Sequence, residues 1–217
     1  MLNTFLSIIP LDIASTISPI ILALTIFLLS NKHHQRSRLL AFLTGSILVG
    51  IVITTIGFNL GQHILTNKKD PEVSAIVDLF LGSLFLFFSI KSFITKERKI
   101  KVDSNPENKK ILKWFIIGLL VNATNFDALF LNLTASKEVG NADISMFAKI
   151  VLLFVNLLFF TLPVTFPIFL YSLFPLSANK VLDKVNFYLV RYGRYIVGIL
   201  FLIFALIFLI RGATFFW

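Results

Sequence analysis

Six stretches of this chain are apolar over about 20 residues, enough for a helix to cross the hydrocarbon of a bilayer. They run over Thr4–Ser30, Leu39–Gln62, Val73–Phe93, Lys113–Leu133, Ile144–Leu173 and Tyr195–Phe215. Backbone polar groups in lipid must be satisfied within the chain, so such stretches fold as transmembrane helices. Composition agrees: 57% of the 217 residues are hydrophobic and only 14% charged, with a mean hydropathy of +0.88. A soluble domain carries about a quarter charged residues. Phenylalanine accounts for 25 residues, many in runs such as Leu84-Phe85-Leu86-Phe87-Phe88. The expected fold is an all-α polytopic membrane protein with six transmembrane helices. The first stretch has no basic segment before it and stays apolar to Ser30, as expected of a retained helix and not of a cleaved signal.

The basic residues crowd into alternate loops. The first, third and fifth loops hold 15 Lys and Arg, among them Arg36, Arg38, Lys91, Lys96–Lys101, Lys113, Arg191 and Arg194. The second and fourth hold Lys68, Lys69 and Lys137. The positive-inside rule puts the odd loops in the cytoplasm and both termini outside. It also accounts for the net charge of +9, and no stacking platform accompanies that charge, so nucleic acid is not an expected partner. The polar, basic stretch 95–112, with Asp103-Ser104-Asn105-Pro106 as a turn, joins two units, 1–94 and 113–217. Three helices per unit force the halves to insert in opposite senses, which gives an inverted repeat. Residues Ala178–Tyr192 space Val181, Leu182, Val185 and Leu189 as an amphipathic helix would, suited to the inner membrane face.

Polar residues inside the spans carry the functional signal. The first span contains Pro10, Asp12, Ser15, Ser18 and Pro19. Proline at 19 cannot donate to the carbonyl of Ser15, which a hydroxyl or a ligand can satisfy instead. The fourth span contains Asn122-Ala123-Thr124-Asn125-Phe126-Asp127 at matching depth, with Ser18 over Asn125 and Ser15 over Asn122. Disruptions at corresponding positions of two halves are the sequence mark of a transport site. Buried carboxyls are costly in a span, so Asp12 and Asp127 are expected to act in translocation, proton coupling included. Asp78 is expected to lie solvated near the interface. Pro163 and Pro167 predict a hinge, as a kink or a break, in the fifth span.

Other patterns read as structure. Gly45, Gly50, Gly57 and Gly61 on the second span suit close helix packing. His33-His34 reads as a solvated loop, and Phe215-Phe216-Trp217 as an interfacial anchor. The sequons at Asn122 and Asn132 read as chance matches, the first of them inside a span. There are no cysteines, no nucleotide-binding loop and no nucleophile–base set. Neither an enzyme, a resident metal nor a cofactor is therefore expected.

The run Ile17-Ser18-Pro19-Ile20-Ile21, then Leu28-Leu29-Ser30, a basic loop and Leu40-Ala41-Phe42-Leu43 before Gly45, resembles the GAP/Sap family. Its members are the sulfolipid- and peptidoglycolipid-addressing proteins of the LysE transporter superfamily. The second half agrees through Gly118-Leu119-Leu120, Asn122-Ala123, Pro163, Pro167, Leu182-Asp183-Lys184 and Arg191-Tyr192-Gly193-Arg194. The resemblance implies six helices in inverted repeats, a multi-pass place in a bacterial cytoplasmic membrane, and movement of envelope glycolipids or other amphiphiles. Relatives often carry Asn-Pro where this chain has Asn125-Phe126, which is expected to make the second break the milder.

The leading expectation is thus a translocator of lipids or lipid-linked molecules. Its polar cluster of Asp12, Ser15, Ser18, Pro19, Asn122, Asn125 and Asp127 would handle the head group. Arg36, Arg38, Arg191 and Arg194 could attract an anionic head group, although topology and general anionic-lipid contact explain them as well. The alternatives are a LysE-like exporter of a small solute or ion, and a non-transporting accessory protein for an exporter. Membrane lipids and an amphiphilic substrate are the expected partners, with a second copy or an envelope-biosynthesis protein as further ones.

Overall fold

The computed structural model describes residues 2–30, 35–66, 71–94 and 111–216, and those residues form helices with no strand among them. The helices are α1 (Leu2–Ser15), α2 (Pro19–Ser30), α3 (Gln35–Thr66), α4 (Pro71–Ile94), α5 (Ile111–Ala123), α6 (Phe126–Asn141), α7 (Met146–Leu173) and α8 (Pro175–Phe216). The basic stretch 95–110, His33-His34, Lys68, Lys69 and Trp217 lie outside the described residues.

Helices α3, α4, α7 and α8 are each long and apolar enough to cross a membrane. The expected first and fourth spans are helix pairs. The axis turns by 59° between α1 and α2, and by 71° between α5 and α6; counting each pair as one span gives six. The second break, without a proline, is therefore not the milder. Pro10 does not interrupt α1.

α7 runs through Pro163 and Pro167 as one helix, so the hinge expected there is not a break. The hydroxyls of Thr161 and Thr165 donate to the carbonyls of Leu157 (3.0 Å) and Thr161 (3.2 Å), supplying local bonds near those where proline has no N–H to give. Residues 178–192 are not a separate interfacial helix but the start of the 42-residue α8. Ala178 and Leu182 are fully buried and join Leu28, Leu39, Phe42, Trp114 and Val164 in one apolar cluster.

The packing falls into two seams and a pair. In the pair, α4 lies along α8, and Phe85 sits among Phe201, Phe204 and Phe208 with ring centroids 5.6–6.2 Å apart. Part of the phenylalanine content is therefore internal packing. In the first seam α3 lies against α5 and α6. A methyl group on Gly45 would meet the Phe115 carbonyl at 2.5 Å, one on Gly118 the Phe42 carbonyl, and one on Gly61 the Lys137 carbonyl. These helices touch backbone to backbone, as the glycine spacing predicts. In the second seam α7 lies against α2 and the side of α1, while α1 packs chiefly on α6. α7 has no glycine, and its seam closes through side chains such as Val164.

Candidate functional site

The first break is three residues long. Past Ser15 the chain tightens: Thr16 and Ile17 donate to the carbonyls of Ile13 and Ala14, both at 3.1 Å, and Ser18 to that of Thr16 at 2.9 Å. The Ser15 hydroxyl donates to the carbonyl of Asp12 at 2.7 Å, meeting an acceptor that the end of the helix would otherwise leave open. Ser18 then precedes α2, and its carbonyl accepts from Leu22. Pro19 is the first helical residue, the position where its fixed φ and missing N–H cost least. Gly193 of α8 lies alongside, so that a methyl group there would sit 3.3 Å from Ile17 Cγ2 and 3.7 Å from Pro19 Cγ.

The second break, residues 124–125, is shorter. Thr124 still donates to the Leu120 carbonyl, and Asn125, at φ −83° and ψ 68°, leaves the helical region and caps α6 through its backbone. Its side chain makes no cap bond. Instead the Asn125 amide donates to the Ser18 hydroxyl at 3.1 Å, so the two breaks meet. The sequence match of Ser18 with Asn125 is thus a direct contact. Ser15 and Asn122, also matched, do not pair: Asn122 donates to Ser46 Oγ on α3 and to the carbonyl of Gly118, both at 2.7 Å. Asp127 lies exposed in the first turn of α6, where the helix dipole favours a carboxylate.

One turn before the first break, Asp12 enters a chain of buried polar groups. Asn156 of α7 donates to Asp12 Oδ1 at 2.6 Å, and Asn132 of α6 donates to Asn156 Oδ1 at 2.8 Å. Thr54 of α3 faces Asn132 Oδ1 at 3.0 Å and Asn156 Oδ1 at 3.2 Å, and its single hydroxyl proton serves one of them at a time. Asp12, Asn132 and Asn156 are fully enclosed. The second oxygen of Asp12, Oδ2, is also enclosed and has no hydrogen-bond partner. The chain ties both broken helix pairs to α3 and α7. Of its four residues only Asp12 is legible as a candidate. Asn156 could have been found as a lone amide in a long apolar run. Asn132 is hidden by its sequon, and Thr54 gives no distinct signal.

The acid expected to be solvated is not. Asp78 is 4% exposed and pairs with Lys137 of α6 at 2.6 Å and with Arg211 of α8 at 3.5 Å. Glu138 completes the ring, 3.6 Å from Lys137 and 3.5 Å from Arg211. Lys137 is accordingly a buried helical residue and not a loop charge. Lys149 is buried too, donating to the Gly140 carbonyl at 2.8 Å with the Phe58 ring nearby. At the same end an open polar cleft of about 250 Å³ is lined by Asn3, Thr4, Ser7, Glu138, Asn141 and Ala142.

The four arginines do not share one environment. Arg36 is exposed, whereas Arg38 is 4% exposed and its Nη1 has no hydrogen-bond partner. Arg191 is exposed and lies over the Phe187 and Tyr192 rings. Arg194 is half-buried over Tyr195.

No curated protein and no solved structure matches this chain. A family match does cover it, over residues 8–214, a range that includes both breaks, the buried polar chain and the ion-pair ring. The chain belongs to the SfLAP family, described as Sap, sulfolipid-1-addressing protein.

Proposed function

We propose that this protein moves envelope lipids or lipid-linked amphiphiles across the cytoplasmic membrane, with the meeting of the two breaks as the site that passes the polar head group. One observation carries the reading: the Asn125–Ser18 hydrogen bond joins two helix interruptions from opposite halves of the chain. Backbone freed from helical bonding is tolerated at membrane depth where it is buried in protein or lines a path. Exposed apolar side chains on the neighbouring helices, Ile20, Leu120 and Phe126 among them, would leave acyl chains in lipid. The family is named for addressing a sulfolipid, an amphiphile with an anionic head, and the exposed Arg36 and Arg191 suit such a group.

We read each bent pair as one span. A turn under 90° keeps the chain advancing, and at 1.5 Å per residue each pair covers about 34 Å along its mean axis, enough for a hydrocarbon core of roughly 30 Å. Six spans with basic odd loops give two inverted three-helix halves, 1–94 and 113–217, and both termini outside. Contact of α3 with the second broken pair, and of α7 with the first, is what such a repeat requires.

The test is lipid movement in vesicles holding the purified chain, followed with a head-group-labelled anionic lipid. Wild type is expected to outpace an Asp12→Asn, Asn125→Ala double variant by about tenfold, the effect of losing roughly 1.4 kcal/mol at the site. Equal rates would sink transport through this site and favour an accessory role.

A further inference from the structure

We propose that Asp12, at the unwound end of α1, binds a monovalent cation, sodium or a proton, in this conformation. The chain treats its two buried acids differently. Asp78 is 4% exposed and lies between Lys137 and Arg211. Asp12 is fully enclosed, and among the described residues no Lys, Arg or His comes within ion-pair distance of it. A neutral amide, Asn156, reaches Oδ1, and Oδ2 has no partner. An unpaired carboxylate in such a place costs several kcal/mol, whereas one bound positive charge removes most of that cost.

The surroundings supply acceptors and not cations. α1 ends at Ser15, and the negative end of its dipole lies at the same place. The Ser15 carbonyl loses its helical donor because residue 19 is proline; the buried Ser15 and Ser18 hydroxyls nearby in the chain already bond the Asp12 carbonyl and the Asn125 amide, each with lone pairs to spare. Half-helix ends with freed carbonyls are how membrane transporters commonly hold a coupling cation. The elements packed on α1 are α6, α7 and α8. Their charges lie elsewhere: Lys137 and Glu138 on α6 and Arg211 on α8 in the ion-pair ring, Lys149 on the Gly140 carbonyl, Arg191 and Arg194 over aromatic rings, and Asp127, Lys180, Asp183 and Lys184 exposed. Toward Asp12, α6 and α7 present the polar chain of Asn132 and Asn156. The role of the site in transport rests on the reading above; cation binding does not.

The full-length chain in detergent is melted in sodium chloride and in choline chloride of equal ionic strength, and, free of sodium, at pH 5.5 and pH 8.0. A sodium site raises the wild-type melting temperature by about 4 °C or more at saturation, by the linkage of a ligand bound only to the folded state. A proton site gives no sodium effect and a melting temperature higher at pH 5.5 than at pH 8.0. Either response should vanish in Asp12→Asn. Wild type that responds to neither, or an Asp12→Asn variant that responds as wild type does, overturns the proposal. Should that variant not fold, Asp78→Asn decides: a response kept there supports Asp12, and a response lost there assigns the cation to the outer ring and overturns it. Lipid movement in vesicles is read separately. Movement indifferent to both cations sinks the site and spares transport, whereas cation-dependent melting without any lipid movement spares the site and sinks transport.

Discussion

The two bent helix pairs are alike in outline and unlike in what holds them. α5 and α6 lie against α3 through glycines, with the Gly45–Gly118 and Gly61–Gly140 contacts bringing backbone onto backbone. α1 lies mainly against α6, and α2 against α7, a helix without glycine, through apolar side chains and, from α7 to α1, the Asn156–Asp12 bond. Backbone contact at this distance leaves no room to slide, because nothing in it can change rotamer. Side chains can repack. We therefore expect the second broken pair to be the fixed wall of the proposed site and the first the moving one; Gly193 and Asn125 converge on the first.

Substitutions in the glycine seam test this most severely. Gly61→Leu drives a side chain into the Lys137 carbonyl and the Gly140 backbone, and is expected to remove folded protein altogether, read as loss of the monodisperse peak in size exclusion. Val164→Leu overpacks the opposite seam, where neighbours can shift, and is expected to cost about 1–3 kcal/mol. If Val164→Leu proves the worse, the assignment of fixed and moving walls is reversed.

Motion between the breaks comes next. The chain has no cysteine, so Ser18→Cys with Asn125→Cys introduces one possible disulfide and no other. Oxidation is expected to slow lipid movement by about tenfold, with recovery on reduction, as for a step whose opening is blocked. Movement unchanged by the cross-link would mean that the breaks need not part.

Smaller effects separate the amides. Asn156→Leu removes the donor to Asp12 and is expected to destabilise by about 2–3 kcal/mol, seen as a lower melting temperature. Asn122→Leu is expected to cost about 1 kcal/mol, because Ser46 retains its bond to the Phe42 carbonyl. Similar losses would make the two halves equally dependent on polar contacts. The least effect belongs to Phe126→Pro. Phe126 is the first residue of α6, and Asn125 before it is already outside the helical region, so proline fits. The melting temperature is expected to change by no more than about 2 °C.

The apolar helices were legible because lipid imposes a length and a polarity, which four helices meet singly and two more segments meet as bent pairs. The first break was legible from Pro19, whose missing N–H is a local fact. The second break was located by its cluster of short polar residues, but its angle was misjudged. A proline only permits a bend, and packing of α5 and α6 on either end of α3 sets how large it is. Asp78 and Lys137 are 59 residues apart, and the sequence suggests an interfacial acid for the one and a loop charge for the other. Neither sequence neighbourhood reveals that α4, α6 and α8 bring them together. Asn156 and Thr54 were missed for a related reason: their meaning depends on Asp12, which reaches them across three helices. The prolines of α7 mark no break, because the helix is continuous through both.

The ring of Asp78, Lys137, Glu138 and Arg211 has an electrical consequence. Two positive and two negative side chains alternate within 3.6 Å of one another, so the ring as a whole carries no net charge. A membrane voltage does about 2.3 kcal/mol of work per 100 mV on each elementary charge that crosses the full field. It does almost none on a neutral group moving as a unit. In a transport cycle of the kind proposed, the ring itself would move without drawing current, whereas the buried Lys149 beside it would still feel the field.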